Sequence, residues 1–284
     1  MTLVIGVDVG GTKIEAILFD GKRVLKQTRT VTKGKQSYSA ALDAIVAAIQ
    51  EVRTRKVKAI GIGLPGIVRD SKLCFSPHTP ALIGRPVAVD ISKRTRLPVF
   101  VENDAKLFAL AEARIGAAKG KSHVAGLTIG TGIGCGLVIE GRVYRGASGG
   151  AGEWGHVPYL EKDYESYAGG VAGIERLYAV LTDKKLKSAE VLRKTDAAST
   201  AVREEALDAL ARLLASIINS LNPEVIVLGG SVTKSLSIPD VRNRTRKYSI
   251  ADNYKHCRIV KYKISDSSGS TGAALLALES LKRK

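Results

Sequence analysis

The chain contains few of the residues that build covalent or metal-linked frameworks. Its three cysteines, Cys74, Cys135 and Cys257, lie far apart, and no two of them form a Cys-x-x-Cys pair. This spacing argues against both a disulfide framework and a self-contained zinc site. Long apolar runs are missing as well, because no uninterrupted stretch approaches the roughly 20 residues of a membrane span. We therefore expect no membrane partner.

A targeting segment is also missing from the beginning of the sequence. Residues 1–5 lead directly into an apolar run, with no basic region and no cleavage site. We therefore expect no signal peptide and a cytoplasmic location. The composition, 45% hydrophobic and 25% charged, is that of a globular protein rather than a disordered one, and 284 residues are enough for two domains.

Acidic residues are scarce relative to basic ones. The chain has 27 Asp and Glu against 44 Lys and Arg, which gives a formal net charge of +17. Modest basic clusters lie at residues 53–58, 184–187 and 282–284, but no aromatic-interleaved basic stripe accompanies them, and no helix-turn-helix or zinc-finger spacing occurs. We interpret the charge as a solvated basic surface that attracts anionic substrates over a long range, and we expect no nucleic-acid partner.

Of two familiar nucleotide-binding motifs, one is missing and the other is misleading. No G-x-x-x-x-G-K-[ST] string occurs, so the phosphate-binding device is not a P-loop. Residues 61–66 match the dinucleotide-binding string G-x-G-x-x-G and follow a predicted strand. That motif needs a helix to begin within the loop, whereas Pro65 and the residues after it do not open one. The string therefore predicts a tight turn at a strand end.

The most informative feature that is present is a pair of Gly-Thr clusters, at residues 8–13 and 130–134. Each lies between two short apolar runs, a pattern that predicts two β-hairpins with glycine-rich tips. Glycine there lets backbone N–H groups approach an anion, and the threonine hydroxyl adds a hydrogen-bond donor. Two such tips facing each other would bind a polyphosphate from both sides, which indicates nucleotide-dependent phosphoryl transfer.

The order of predicted elements repeats along the chain. The first hundred residues read as β-β-β-α-β-α, and the second hairpin begins a related series with a long helix at 199–221 and a buried strand at 225–230. An α/β unit that occurs twice predicts two domains with a ligand-binding cleft between them. We place the boundary near residue 106, so that residues 1–106, joined by the C-terminal helix 271–284, form one domain and residues 107–270 form the other.

Residues 102–104, Glu-Asn-Asp, close a predicted strand just ahead of a predicted helix at 105–115, where α/β proteins place ligands. Asp104 is either the N-cap of that helix or a carboxylate that accepts the proton of a substrate hydroxyl attacking a phosphoryl group. Asp8, at the mouth of the first glycine turn, is placed to orient a Mg²⁺ ion through water, because hard cations prefer oxygen ligands.

Residues 152–156 combine an acid and an imidazole between glycines. Glu153 and His156 together can hydrogen-bond adjacent hydroxyls of a sugar, which needs paired donors and acceptors. The alternatives are that His156 is an ordinary polar residue or that the two belong to an incomplete metal site. Glu165 is a further acid nearby.

These motifs, in this order, resemble the ROK family of repressors, open-reading-frame proteins and sugar kinases, part of the actin, hexokinase and Hsp70 ATPase superfamily. The resemblance covers nearly the whole chain and implies an α/β fold of two ribonuclease-H-like (actin-like ATPase) domains with a central cleft. Residues 8–13 and 130–134 resemble the family's phosphate loops, residues 64–66 its sugar-side turn, residues 102–104 its catalytic strand end, residues 153–156 its Glu-x-Gly-His sugar contacts, and residues 223–231 its adenosine side.

The resemblance implies transfer of the γ-phosphoryl group of ATP to a hexose hydroxyl, with Asp104 as general base and with Asp8 holding Mg²⁺ through water. The implied sugar contacts are Gly66, Asn103, Asp104, Glu153, His156 and Glu165. A different alignment gives the role of Glu165 to Glu175. The implied ATP contacts are Asp8, Gly10, Gly11, Thr12, Lys13, Gly130, Thr131, Gly132, Gly229, Gly230 and Ser231.

The acceptor and the assembly are also expectations from this resemblance. Glucose, converted to glucose 6-phosphate as a glucokinase does in glycolysis, is the first expectation, and an N-acetylhexosamine or fructose is the alternative. His78 stands where many relatives have an asparagine on the sugar side, which bears on this choice. Sugar-responsive repressors of the family carry a DNA-binding domain ahead of the first phosphate loop, and Asp8 lies almost at the N-terminus, so we expect an enzyme. Relatives are commonly dimers, which makes a homodimer the expectation here.

One departure from the family concerns metal. Members usually carry a zinc module, Cys-x-Cys-Gly-x-x-Gly-Cys, between the Glu-x-Gly-His motif and the next glutamate. In this chain only residues 157–164 separate His156 from Glu165, and no cysteine lies among them. We therefore predict no structural zinc, which leaves His156 to serve the sugar alone.

Overall fold

The computed structural model describes residues 2–264 and 267–282, which divide into two compact units. The first unit contains the chain up to Ala111, the segment Arg145–Ala151 and the chain from Ile264 onward; the second contains Glu112–Tyr144 and Gly152–Lys263. The sequence places the division near residue 106 and does not anticipate that Arg145–Ala151 belongs to the first unit. Residues 1, 265, 266, 283 and 284, which the predicted domains include, lie outside the described residues.

Groups of strands and groups of helices follow one another along the described chain. The strands are β1 (Leu3–Val9), β2 (Lys13–Phe19), β3 (Val24–Val31), β4 (Val57–Leu64), β5 (Ile67–Arg69), β6 (Lys72–Phe75), β7 (Val99–Asn103), β8 (Val124–Ile129), β9 (Ile133–Ile139), β10 (Arg142–Tyr144), β11 (Pro158–Tyr159), β12 (Lys162–Asp163), β13 (Val225–Gly229) and β14 (Arg258–Lys261). The α-helices are α1 (Tyr38–Val52), α2 (Val87–Thr95), α3 (Asp104–Arg114), α4 (Glu165–Ala168), α5 (Arg176–Thr182), α6 (Ser188–Val191), α7 (Ala197–Leu221), α8 (Ile238–Tyr248), α9 (Ala251–His256) and α10 (Ser268–Lys282). Among the described residues, no helix is long and apolar enough to cross a membrane.

The first unit is built on a five-stranded sheet with strand order β3-β2-β1-β4-β7. β1 and β2 pair antiparallel and close on the first glycine tip, while β4 pairs parallel with both β1 and β7. The backbone of α10 lies directly on the adjacent strands β1 and β4, because a Cβ at Gly6 would overlap the Ser270 carbonyl oxygen and one at Gly61 would overlap that of Ala273. This close approach brings the beginning of α10 to the end of β1, where Asp8 lies.

The second unit repeats this design with strand order β10-β9-β8-β13-β14. β8 and β9 pair antiparallel around the second glycine tip, and β13 pairs parallel with β8 and with β14. The two sheets therefore share one order and one set of strand directions. This agreement confirms the internal repeat and the α/β class that the sequence predicts.

The longest helix, α7, shows how local signals set an element's ends. Its buried side chains include Val202, Leu210 and Ile217, which recur at helical spacing and form one apolar face. The helix begins two residues earlier than predicted because the Asp196 carboxylate caps it by accepting the Ser199 N–H at 3.0 Å. It ends where Asn222 adopts a left-handed φ of 44°.

The G-x-G-x-x-G string forms a turn between strands rather than opening a helix. β4 ends at Leu64, and the next element, Ile67–Arg69, is the short strand β5. Gly66 has a φ of 120° and lies so close to Phe75 that a Cβ there would overlap its carbonyl oxygen. The prediction of a tight turn is confirmed, and the turn requires glycine at this position.

Candidate functional site

The first glycine tip joins β1 to β2 in the first unit. The Gly10 N–H donates to the Lys13 carbonyl oxygen at 2.9 Å and closes the tip, and the Thr32 N–H donates to the Thr12 carbonyl oxygen at 3.0 Å. The Thr12 and Lys13 side chains are exposed. The tip thus presents a hydroxyl, an ammonium group and a glycine backbone to solvent, a suitable set for phosphate oxygens.

His78 lies beside this tip. A Cβ on Gly11 would stand 3.2 Å from the His78 Cβ. The turn that holds the histidine is fixed by the buried Ser76 hydroxyl, which accepts the N–H of His78 at 3.3 Å and that of Thr79 at 3.1 Å. The structure therefore places His78 over the first glycine tip.

The pKa of the Asp8 carboxyl is strongly raised. Its burial, and next the negative charges of Asp104 and Glu15, raise its pKa from 3.8 to about 7, against the opposing effect of Lys13. The side chain lies against Gly269 at the beginning of α10, where a Cβ would come within 2.5 Å of Asp8 Oδ2. A bound divalent cation would offset the repulsion between these carboxylates and hold Asp8 ionised.

The strand end at Asn103 gathers three of the predicted sugar-side residues. The Asn103 amide donates to the Gly66 carbonyl oxygen at 2.9 Å and to Asp104 Oδ1 at 3.1 Å. The Asn103 Oδ1 accepts the Lys106 N–H at 2.9 Å, so Asn103 makes the capping bond three residues into α3. Asp104 Oδ1 also accepts the Ala105 N–H at 2.8 Å. These two hydrogen bonds orient the Asp104 carboxylate beside the Gly66 turn.

The second glycine tip joins β8 to β9 in the second unit. The Gly130 N–H donates to the Gly132 carbonyl oxygen at 3.0 Å, and the carbonyls of Gly130 and Thr131 accept the N–H groups of Gly170 at 2.9 Å and Val171 at 3.0 Å. The residues that begin the π-helix Gly170–Glu175 therefore hold the base of the tip. The Thr131 side chain is exposed, like that of Thr12 in the first tip.

Glu165 and Glu175, the two candidates for one sugar contact, have different surroundings. The Glu165 carboxylate accepts the Ile133 N–H at 2.7 Å, and it packs so closely on Gly132 that a Cβ there would overlap it. Glu175 instead accepts the Ser188 N–H at 3.0 Å and pairs with Lys187 at 3.5 Å. The structure thus sets Glu165 against the second tip and Glu175 against α6, and the sugar assignment stays a prediction.

Glu153 and His156 lie at the two ends of a short 3-10 turn, Trp154–His156, that packs on β9. Gly152 and Gly155 permit this packing, because a Cβ at Gly152 would overlap the Cys135 carbonyl oxygen and one at Gly155 would come within 2.6 Å of that of Ile133. The two predicted sugar contacts are therefore held next to the strand that leaves the second tip.

Asp163 orients His156, a role that the sequence did not suggest. The Asp163 carboxylate lies 3.4 Å from His156 Nδ1 and accepts the Ser166 N–H at 2.9 Å. Burial raises the pKa of Asp163, but the hydrogen bonds from Ser166 and His156 outweigh it and hold that pKa below its ordinary value. An ionised Asp163 fixes which ring nitrogen of His156 carries a proton.

The segment that replaces the zinc module folds as a small hairpin of β11 and β12. The Tyr159 ring stacks on Tyr164 with centroids 4.7 Å apart and meets Tyr167 edge-on at 5.2 Å. Within residues 2–264 and 267–282, no group of three or more His, Cys, Asp or Glu is arranged to hold a metal ion. The residues present therefore do not fit a zinc module.

The loop after β13 lies beside the second tip. Gly230, with a φ of 87°, sits so close to Ile129 that a Cβ there would overlap its carbonyl oxygen. The Thr233 hydroxyl donates to the Gly229 carbonyl oxygen at 2.6 Å, and the Ser231 side chain is exposed. The structure thus brings the predicted adenosine-side loop and the second glycine tip together.

Comparison with known proteins shows what the chain as a whole resembles. A family model described as ROK family matches residues 4–280. The N-acetylgalactosamine kinase AgaK of Shewanella sp. (strain ANA-3) is 32% identical over 297 residues, covering 95% of each chain. A ROK hexokinase structure from Thermus thermophilus has a TM-score of 0.86 at 32% identity over 100% of both chains. A ROK family glucokinase from Streptomyces griseus in complex with glucose and AMPPNP has a TM-score of 0.84 at 29% identity, covering 98% of this chain and 99% of that one. The resemblance and the actin-like ATPase fold are confirmed.

Proposed function

We propose that this chain, which belongs to the ROK family and is an ATP-dependent sugar kinase, phosphorylates a hydroxyl of an N-acetylhexosamine. The similarity to an N-acetylgalactosamine kinase over 95% of both chains supports this class of acceptor. Glucose, the first expectation from the sequence, is the second candidate, because a similar structure contains glucose beside an ATP analogue.

The main support for the proposed chemistry is that Asn103 is hydrogen-bonded to both Gly66 and Asp104. We assign Asp104 as the general base that takes the proton of the attacking sugar hydroxyl. The Asn103 amide and the Ala105 N–H fix its Oδ1, so the carboxylate meets the acceptor in one orientation. Holding base and acceptor in place removes much of the entropic barrier to the reaction.

Phosphate binding is assigned to the two glycine tips and the loop after β13. The exposed Thr12, Lys13 and Thr131 side chains would donate to phosphate oxygens. Asp8 would hold Mg²⁺ through water, and the ion would neutralise charge on the transferring phosphoryl group. The raised pKa of Asp8 supports this assignment, because the site favours added positive charge.

The remaining sugar contacts are assigned to Glu153 and His156, with Asp163 orienting the imidazole. A carboxylate and an imidazole close together in the chain offer the acceptors and donors that neighbouring hydroxyls need. The family resemblance makes Glu165 a further sugar contact, but its observed contact with the Ile133 N–H favours a role in holding the second glycine tip, which the variant Glu165→Ala tests. The homodimer expected from the family is part of the proposal and is checked by light scattering.

A coupled assay of ADP release with a panel of sugars tests the proposal. The panel contains N-acetylgalactosamine, N-acetylglucosamine, N-acetylmannosamine, glucose, mannose and fructose, each with Mg²⁺ and ATP. We expect the best N-acetylhexosamine to exceed glucose in kcat/KM by roughly tenfold or more, since a site that hydrogen-bonds the acetamido group rejects sugars lacking it. A preference for glucose would move the assignment to the second candidate. The absence of ADP release with every sugar of the panel would refute both candidates.

A further inference from the structure

Two buried charged side chains flank the residues to which catalysis is assigned. Glu102 is the last residue but one of β7, directly before Asn103, and Lys106 lies in the first turn of α3, two residues after Asp104. Both residues are only 1% exposed. Burying a charge is strongly unfavourable unless partners compensate for the lost water. Neither side chain has a role in the chemistry proposed above, so their burial needs a separate explanation.

Glu102 joins the catalytic strand end to Arg145. One carboxylate oxygen, Oε1, accepts the Asn103 N–H at 2.9 Å, and the other, Oε2, lies 2.5 Å from Arg145 Nε. The Arg145 side chain is 49% exposed, whereas that of Glu102 is 2% exposed. The guanidinium therefore covers the buried carboxylate from the outer side.

Lys106 joins the beginning of α3 to the same segment of chain. Its backbone N–H donates to Asn103 Oδ1 at 2.9 Å, and its Nζ donates to the Gly149 carbonyl oxygen at 2.5 Å. Glu102 and Lys106 thus both contact Asn103 and both contact Arg145–Ala151. The catalytic strand end is connected to this segment on both sides.

The segment Arg145–Ala151 is a closed loop fixed to the first unit. Its ends meet where the Ala151 N–H donates to the Arg145 carbonyl oxygen at 3.1 Å. Gly149, with a φ of 83°, packs on β5 so closely that a Cβ there would overlap the Val68 carbonyl oxygen. The chain on either side of this segment belongs to the second unit, and it continues directly into Gly152 and Glu153.

We propose that Glu102, Lys106 and Arg145 are positioning residues that clamp the loop Arg145–Ala151 to the strand end carrying Asn103 and Asp104. This inference rests on the proposed sugar kinase function. The clamp fixes the backbone of Asn103, whose side chain contacts both Gly66 and the Asp104 carboxylate. It therefore acts on sugar binding, and ATP binding does not depend on it.

The surroundings of the clamp allow its side chains to be replaced without a steric clash. A cavity of about 360 Å³ lies beside β7 and is lined in part by Glu102, Arg145 and Ser148. A shorter or uncharged side chain at position 145 therefore meets open space. Arg142, three residues earlier on β10, is exposed and provides a matched control for the loss of one arginine charge.

The test compares Arg145→Met, Lys106→Met and Glu102→Gln with wild type and with Arg142→Met. We expect each clamp variant to raise the KM for the sugar by roughly tenfold and to lower kcat, because small displacements of reacting groups cost large factors in rate. The KM for ATP is expected to stay within roughly twofold of wild type, and Arg142→Met to match wild type in all three parameters.

A double variant, Glu102→Gln with Arg145→Met, separates positioning from simple loss of stability. It also removes both charges of the pair, so that no buried carboxylate is left unpaired if Arg145→Met alone folds poorly. Its effect on sugar KM is expected to be well below the product of the single effects, since both changes cut one contact. Three results would overturn the clamp proposal. The first is a sugar KM in the clamp variants equal to that of Arg142→Met, and the second is an equal increase in the KM for the sugar and the KM for ATP. The third is a double variant whose effect equals the product of the single effects. A wild type without sugar-dependent ADP release would instead overturn the proposed function.

Discussion

Asp8 and Asp104 are electrostatically coupled. After burial, the charge of Asp104 is the largest influence on Asp8, and together with Glu15 these effects bring the pKa of Asp8 to about 7. Two carboxylates that repel each other in a poorly solvated place destabilise the folded chain until a cation or a proton reaches them. The site to which we assign phosphoryl transfer therefore carries a cost in stability.

Replacement of Asp8 by asparagine is expected to stabilise the protein and to inactivate it. The variant Asp8→Asn removes a carboxylate that ionises unfavourably, so its Tm in magnesium-free buffer at pH 8 should rise by at least about 2–4 °C, the shift that 1 kcal/mol produces in a chain of this size. Its kcat should fall by roughly 100-fold or more because the Mg²⁺ contact is lost. Thermal scans and steady-state assays check both, with the exposed Asp183→Asn as control. A lower Tm than wild type would contradict the interpretation.

The same variant should change how stability depends on pH. The folded state binds the Asp8 proton more tightly than the unfolded chain, whose carboxyl titrates near 3.8. Asp8 therefore makes the free energy of unfolding fall as pH rises from about 4 to about 7. The difference between Asp8→Asn and wild type should be small near pH 4 and should increase through this range, as urea titrations at several pH values would measure. A difference that is independent of pH would exclude Asp8 as its origin.

Asp104→Asn should nearly abolish turnover and leave sugar binding largely intact. The amide cannot accept the proton of the attacking hydroxyl, and general-base catalysis contributes roughly 100-fold to 10,000-fold in rate. Its oxygen can still accept the Ala105 N–H that Asp104 accepts now. Calorimetric titration with the sugar and the coupled assay measure the two effects separately, with Asp252→Asn on the exposed face of α9 as control. Near-normal turnover would show that another group is the base.

Glu165→Ala should raise the KM for ATP more than the KM for the sugar. Its carboxylate accepts the Ile133 N–H, so its loss releases the second glycine tip. We expect an increase in KM for ATP of roughly tenfold, the equivalent of a charged hydrogen bond of about 1.5 kcal/mol. Glu175→Ala, which affects α6, should leave both KM values unchanged. An increase confined to the sugar KM would favour the direct sugar contact that the family resemblance implies.

Metal analysis of the purified protein should find no stoichiometric zinc, and a zinc chelator added in magnesium-free buffer should leave the Tm of the sugar-free protein unchanged. The hairpin of β11 and β12, at the position of the family's zinc module, is packed by the rings of Tyr159, Tyr164 and Tyr167. Tyr159→Ala should lower the Tm because it removes both ring contacts. One tightly held zinc ion per chain would refute the prediction.

The hairpins, the repeated element order and the long helices were predictable because their signals are local. An apolar run, a glycine turn and a second apolar run specify a hairpin within about 20 residues, and β1–β2 and β8–β9 both follow this rule. The turn at Gly66 was predictable for the same reason, since Pro65 disfavours helical backbone at Leu64, the residue before it. These features depend on backbone conformations that neighbouring residues impose.

The contacts that position the site could not be predicted, because their partners are distant in sequence. Asn103 rather than Asp104 makes the capping bond of α3, a choice that depends on how the strand ends. Lysine in the first turn of a helix is normally exposed, yet Lys106 is buried because the Gly149 carbonyl oxygen, 43 residues away, accepts from it. Glu165 meets Ile133 across 32 residues in the same way. Residue types and their spacing specify which groups the chain has for phosphoryl transfer. The burial and pairing of charged side chains arise only when distant segments pack against each other. This packing therefore decides how the groups are held.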